Sequence, residues 1–136
     1  MSDDFKKNLD LALGNAKRLS NKILIDGKLI SAKSSNKIKV INPSTGEQIG
    51  EAPQCDKSDV DTAVNSAENA FHKWKKIPAR ERGKMMTAAA RKLEERRDEI
   101  ETLLALDTGN ALRTQAKPET AASIELTHMF AGLAGE

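Results

Sequence analysis

The sequence is short of the residues from which most catalytic and binding sites are built. In 136 residues it has one cysteine, no tyrosine, one tryptophan, three phenylalanines, two histidines and four prolines. A single thiol, Cys55, excludes an internal disulfide and suits a reducing compartment, so a cytoplasmic location is expected. Four aromatic side chains (Phe5, Phe71, Trp74 and Phe130) offer little on which nucleobases could stack. The longest run of large apolar residues, Leu103-Leu104-Ala105-Leu106, is far short of the roughly 20 that span a bilayer. The opening Met1-Ser2-Asp3-Asp4 is acidic with no apolar stretch behind it, so no secretory signal is expected. Leu, Ile, Val and Phe together number only 28, against 18 alanines. That ratio predicts a thin core in one domain or part of one, with helices approaching closely through small side chains.

Charge is nearly balanced at +2 but unevenly spread. Residues 73–97 hold ten Lys or Arg against three Glu, while residues 98–136 hold seven acids against two bases. The basic stretch, from Lys73-Trp74-Lys75-Lys76 through Arg80, Arg82, Lys84, Arg91, Lys92, Arg96 and Arg97, could attract phosphates. On two helices, however, these charges point in many directions and are interrupted by Glu81, Glu94 and Glu95, so a solvated helical surface accounts for them more simply than nucleic-acid binding does.

The apolar pattern divides the chain near residue 22. Phe5, Leu9, Ala12, Leu13 and Ala16 fall on one face at helical spacing, which predicts an amphipathic helix over 3–20 and a first unit of residues 1–21. In Lys22-Ile-Leu-Ile-Asp-Gly-Lys-Leu-Ile30, two apolar runs flank Asp26-Gly27, the signature of a tight hairpin. Ile38, Val40 and Ile41 predict a strand ending at the turn Asn42-Pro43-Ser44-Thr45-Gly46, and residues 47–52 its return strand. From Ser58 the period changes. Ser58-Asp59-Val60-Asp61 reads as a capping box opening a helix with Val60, Ala63, Val64, Ala67, Ala70, Phe71 and Trp74 along one stripe. A longer helix is predicted over about 79–106, with Met86, Ala89, Ala90, Leu93, Ile100, Leu103 and Leu104 inward and Gly109 as its C-terminal cap. Pro118 suits the first turn of a third helix that carries Ala121, Ala122, Ile124, Leu126, Met129, Phe130 and Leu133. The architecture expected is an N-terminal helix, hairpin strands and three helices.

Little of this chemistry is catalytic. Cys55 lies in a polar turn beside Asp56, whose carboxylate disfavours a thiolate. His72 and His128 have no second ligand at metal spacing. Glu94 and Glu95 are adjacent and diverge by about 100° on a helix, so they cannot flank one bond as an acid and a base. No Gly-x-Gly-x-x-Gly and no Gly-Lys-Ser/Thr loop is present to cradle phosphates.

The order of several short segments is nevertheless specific. Leu24-Ile-Asp-Gly-Lys28, Val40-Ile-Asn-Pro-Ser-Thr-Gly-Glu47, Asp59-Val-Asp-Thr-Ala-Val64, Ala70-Phe71 with Trp74, Arg80-Glu-Arg82, Leu93-Glu-Glu-Arg96, Leu106-Asp-Thr-Gly109 and Phe130-Ala-Gly-Leu-Ala-Gly135 together resemble the N-terminal part of NAD(P)-dependent aldehyde dehydrogenases. The resemblance runs over residues 22–136. Leu104 stands where the family usually has Glu, and Asn110-Ala111 where Lys-Pro is common, as in a divergent branch. The resemblance implies an α/β fold, α+β within this segment, forming the outer and incomplete part of a cofactor-binding domain. It implies a complete enzyme that oxidises an aldehyde to a carboxylic acid through a cysteine thiolate, with hydride passing to NAD or NADP. The family's catalytic cysteine and glutamate and its cofactor-binding glycines map onto no residue here, so no catalytic and no cofactor-binding residue is expected in this chain, and activity of the chain alone is not expected. Many members hold a structural monovalent cation, and the matching positions are the main-chain carbonyls of Val40 and Ile41 with Asp107; Asp107 as a simple helix-end residue is the competing reading. The partner implied is the remainder of an aldehyde dehydrogenase or a full-length relative, with self-association as a further expectation and no membrane. A non-catalytic interaction module derived from the family is the alternative function, and a basic helical nucleic-acid binder a more distant one.

Overall fold

The computed structural model describes residues 3–135. Helix α1 (Asp3–Leu19) leads to an antiparallel hairpin of β1 (Lys22–Ile25) and β2 (Lys28–Ser31), then to a second of β3 (Lys37–Ile41) and β4 (Gln48–Pro53). Helices α2 (Lys57–Trp74), α3 (Ala79–Glu95) and α4 (Arg97–Thr108) follow, and a π turn over Leu112–Ala116 opens α5 (Lys117–Leu133). The α+β class expected from the sequence is the one found.

The turns form where the chemistry placed them. Asp26 and Gly27 both take positive φ, 51° and 70°, as a two-residue hairpin turn requires. In the second hairpin the Asn42 side chain accepts from the Ser44 amide at 2.9 Å, and the Asn42 carbonyl accepts from Gly46 at 2.8 Å. Gly109, at φ 74°, caps α4 by donating to the Ala105 carbonyl, and Pro118 sits in the first turn of α5.

Three expectations need correction. First, the capping box of α2 lies two residues earlier than expected. Asp56 is the N-cap and Asp59 its reciprocal partner, because buried Asp59 also accepts from the Lys33 amide at 2.9 Å and so ties the helix to the preceding loop. Second, the predicted helix over 79–106 is two helices, so four helices and a π turn follow the hairpins, not three helices. Arg96 leaves the helical region (φ −112°, ψ 18°) while its guanidinium turns forward onto Glu99 at 2.6 and 2.9 Å. This bend lays α4 along α1, a contact that a straight helix continuing from α3 would forgo. Third, Ala89 and Leu93, expected to face inward, are exposed, and the apolar stripe of α2 is left uncovered as well. Val64 and Phe71 are 58% and 57% exposed, and Val60 and Trp74 are exposed with them. On α5 the buried positions are Thr120, Ile124 and Ala131, while Leu126, Met129, Phe130 and Leu133 face outward.

What is buried is small. Ala12, Ala90 and Ala116 are fully enclosed, and among the described residues no large side chain is. The helices meet backbone to backbone instead. A Cβ on Gly83 of α3 would stand 2.6 Å from the Ala131 carbonyl oxygen of α5, so only glycine permits this crossing.

Gly83→Ala is therefore expected to lower stability by about 1–3 kcal/mol through overpacking. Gly14→Ala, on α1 with nothing within 4 Å of the new methyl, is expected to raise it by about 0.5–1 kcal/mol through helix propensity. Urea unfolding of the two variants checks both signs.

Candidate functional site

The structure gathers its polar and apolar features around one cleft between α1, the second hairpin and α4. A cavity of about 410 Å³ is lined by Ala16, Leu19 and Ser20 from the end of α1, Val40, Ile49, Gly50 and Glu51 from β3 and β4, and Ile100, Leu103, Leu104 and Asp107 from α4. A local irregularity shapes it. Val40 pairs with Gly50 and Ile41 with Gln48, so Ile49 is the extra residue of a bulge, and it is buried at the cleft. A bulge disrupts the ladder locally and frees main-chain groups from regular pairing, here next to the Val40 and Ile41 carbonyls.

The walls are joined by named contacts. Ser20 Oγ donates to the Ala16 carbonyl at 3.0 Å and accepts from the Glu51 amide at 3.1 Å; the Asn21 amide donates to the Glu51 carbonyl at 2.9 Å. A Cβ on Gly50 would lie 3.4 Å from Ser20 Oγ, so the strand runs close beneath the helix end. On the other side a Cβ on Gly109 would lie 2.8 Å from Pro43 Cγ, so the turn after Ile41 abuts the end of α4. Asn15 of α1 donates to Glu99 of α4 at 2.7 Å.

Of the residues singled out from sequence, Val40 and Asp107 line this cleft and Ile41 does not. Among the described residues the Asp107 carboxylate has no hydrogen-bond or ion-pair partner, and the helix end is capped by Gly109. The Asp107 carboxylate at the end of α4, beside a bulged strand, is an oxygen ligand of the kind a hard cation takes. Among the described residues no three His, Cys, Asp or Glu side chains converge, so a site here draws on main-chain oxygens. Both sheets are antiparallel hairpins, so the described residues contain no parallel crossover and no glycine turn leading from a strand into a helix N-terminus for the pyrophosphate.

The remaining candidates lie apart. Cys55 is exposed in the segment between β4 and α2. His72 is exposed next to Phe71, and His128 is half-buried on α5. Glu94 and Glu95 are exposed and face Arg97 and Lys92. Lys84 likewise pairs with Glu81, and Arg96 with Glu99, so several charges of the basic stretch are answered within their own helices. No described helix is long and apolar enough to cross a membrane.

Sequence reading missed Asn15, Ser20, Ile49 and Glu99. Arg96 three residues before Glu99 is the one local signal for that pair. The long-range contacts had none.

A family model of the aldehyde dehydrogenase family matches residues 29–136. Cytosolic 10-formyltetrahydrofolate dehydrogenase of Homo sapiens is 33% identical over 117 residues, covering 85% of this chain and 13% of that protein. D-glyceraldehyde dehydrogenase (NADP(+)) of Picrophilus torridus is 36% identical over 104 residues, covering 76% and 21%. The crystal structure of betaine aldehyde dehydrogenase from Staphylococcus aureus in complex with NAD+ superposes with a TM-score of 0.86 at 30% identity, covering 95% of this chain and 26% of that one. The chain belongs to the aldehyde dehydrogenase family, as its N-terminal segment, with the fold of the outer part of the cofactor-binding domain. It spans only about an eighth to a quarter of the length of these relatives.

Two neighbouring carboxylates titrate in opposite directions. Hydrogen bonding to Arg96 holds Glu99 below the usual value of 4.5, with the Arg96 charge and the Asn15 contact adding to it against the cost of burial. Its contribution to stability is present above 4.5 and is lost as the pH falls through the lowered native value. Burial pushes Glu101 up, with Lys117, 3.9 Å away, opposing only in part. The stability that protonated Glu101 confers is present below 4.5 and is lost as the pH rises through the raised native value. Glu99→Gln is therefore expected to lose about 1–3 kcal/mol at pH 7, the difference shrinking as the pH drops below the usual carboxylate range. Glu101→Gln is expected to be more stable than the parent at pH 7 by on the order of 1 kcal/mol, the gap closing toward acid. Denaturant midpoints measured across pH 3–8 would show the two trends diverging.

Proposed function

We propose that this chain is the scaffolding portion of an NAD(P)-dependent aldehyde dehydrogenase, an oxidoreductase acting on aldehydes, and that it works only together with the rest of such an enzyme. The observation that carries this reading is the pairing of a conserved backbone shape with uncovered apolar faces. Ninety-five per cent of the chain follows a quarter of an NAD+-bound relative, yet Val64, Phe71, Met129, Phe130 and Leu133 face outward. A second cavity of about 340 Å³, lined by Leu93, Thr120, Ser123 and Ile124, shares Ile100 and Leu104 with the cleft, so an open apolar trough crosses α4. A surface of this kind marks a contact with further protein. The partner in this reading is the remaining part of an aldehyde dehydrogenase or a full-length relative. A cytoplasmic setting belongs to it too, supported by the single exposed thiol and by the relative named cytosolic.

The same reading includes a structural monovalent cation held by the main-chain oxygens of Val40 and Ile41 and by Asp107. The bulge at Ile49, the Pro43–Gly109 contact and the unpartnered Asp107 carboxylate support it. The ion would supply positive charge at the end of α4 and hold the second hairpin against it. The division of the chain into residues 1–21 and 22–136 is retained only as a division of sequence pattern, since α1 is held to β4 and α4 by the bonds of Asn15, Ser20 and Asn21.

The chain alone is expected to produce no NAD(P)H from aldehydes, and calorimetry is expected to detect no NAD+ or NADP+ binding at millimolar concentration. Mixing it with the separately produced remaining part of an aldehyde dehydrogenase is expected to protect the amides of α5 from exchange. Turnover by the chain alone that disappears in Cys55→Ser, or unchanged exchange in the mixture, would count against the reading.

A further inference from the structure

We propose that, where the rest of an enzyme is absent, this chain associates with a second copy of itself head to tail, the apolar stripe of α2 on one copy packing antiparallel against the outward stripe of α5 on the other. The inference shares with the reading above only the uncovered state of these two faces, and it names a different occupant for them.

Both stripes are laid out to meet a helix. On α2, Val60, Val64, Ala67, Ala70, Phe71 and Trp74 recur at three- and four-residue steps and all are exposed. On α5, Leu126, Met129, Phe130 and Leu133 recur in the same way and are exposed too. Within the chain α5 packs on α3, α4 and the π turn through its other side, where Ala131 meets Gly83, and α2 packs only lightly, on β1. Val64 and Phe71 stand two helical turns apart, as do Leu126 and Leu133. Setting Phe71 against Leu126 with the helices antiparallel therefore sets Val64 against Leu133 and the small Ala67 against the large Phe130.

Charge selects this partner. α2 ends in Lys73, Lys75 and Lys76, all exposed and, among the described residues, without an ion-pair partner; Lys75 instead lies 5.4 Å over the Phe71 ring. On α5 exposed Glu125 has no partner, and exposed Glu119 has only Asn110 at 3.4 Å. The register set by Phe71 and Leu126 brings Lys73 within a turn of Glu125 along the axis, and Lys76 within a turn of Glu119. It also lays the negative C-terminal end of α2 beside the positive N-terminal end of α5. Two α5 helices paired with each other would leave both glutamates unanswered, because the one Lys or Arg of α5 is Lys117, which is turned to Glu101 at 3.9 Å. The contact is heterologous, so every joined pair keeps one open α2 face and one open α5 face, and association continues until a ring closes.

Sedimentation velocity of the 136-residue chain over a range of concentrations tests this. Association is expected to grow with concentration and to weaken about fivefold or more between about 0.05 and 0.5 M sodium chloride. Phe71→Glu and Phe130→Glu are each expected to stay monomeric where the parent associates, while their equimolar mixture forms a 1:1 pair, since one keeps the α5 face and the other the α2 face. Circular dichroism shows whether each variant keeps its helices. A second pair, Lys73→Glu with Lys75→Glu and Glu119→Lys with Glu125→Lys, leaves the apolar contacts in place, and it too is expected to associate more tightly mixed than apart. A parent that stays monomeric at every concentration would overturn the proposal, as would association of Phe71→Glu by itself, or mixtures of both pairs that associate no better than their components. The scaffolding reading stands or falls separately, on protection of the α5 amides by the remaining part of an aldehyde dehydrogenase.

Discussion

One carboxylate, Glu99, holds the arrangement on which the cleft depends. Its oxygens accept from Arg96 and from Asn15, so a single buried side chain joins the bend between α3 and α4 to the helix that begins the described chain. Arg96 is where the helical path breaks, and its guanidinium stays on Glu99 after the break. The direction of α4 and the seat of α1 therefore rest on one charged cluster. Glu99 is buried while Arg96 is largely exposed, so desolvation of the carboxylate offsets much of the attraction, but removing Arg96 strands a buried charge. Its use here is to choose one orientation of α4 relative to α1. Ile100 and Leu104, one and five residues further on, then come to line the cleft.

The other organising feature is close approach without large side chains. Gly83 against Ala131, Gly109 against Pro43 and Gly50 against Ser20 are three places where one segment lies within reach of another's backbone or short side chain. Such contacts fix geometry at little cost in volume, but they bury little apolar area, and burial is what stabilises a domain. A chain built this way keeps its large apolar residues for other surfaces. Val60, Val64 and Phe71 on α2 and Met129, Phe130 and Leu133 on α5 are where they went. Membership of a family whose solved relative has about four times the matched length gives those surfaces a physical purpose.

The parts of the fold legible in the sequence are those set by bonds between near neighbours. Asp26-Gly27, the Asn42 turn, Gly109 and Pro118 each act within a few residues, and each was placed correctly. The errors share one cause, which is tertiary contact overriding a local pattern. The stripe over 79–106 is continuous in sequence, and nothing within it announces that Arg96 will bend the path, because the reward for bending is a contact with Asn15, 84 positions from Glu99. Asp56 and Asp59 took the capping-box places expected of Ser58 and Asp61 for a similar reason: the Lys33 amide, 26 residues from Asp59, gives Asp59 a second role. Helical periodicity revealed which face of α2 is apolar but not whether anything within the chain would cover it, since a period carries no information about the partner.

The candidate site shows the same division from the other side. Val40 and Asp107 were found through an ordered set of motifs spread over 115 residues, not through any local donor pattern, and the structure brings those two to one cleft while leaving the Ile41 side chain outside it. That difference is intelligible if main-chain oxygens are what count at the strand end. A carbonyl is set by backbone path, so the bulge at Ile49 and the abutment of Pro43 on Gly109 constrain it more tightly than the identity of the residue does. Residue type then matters at Asp107, where the side chain supplies the charge, and at the glycines, where a methyl group would push the walls apart. A cleft defined in this way depends on every wall being in place, and α1 is the wall with the fewest buried anchors.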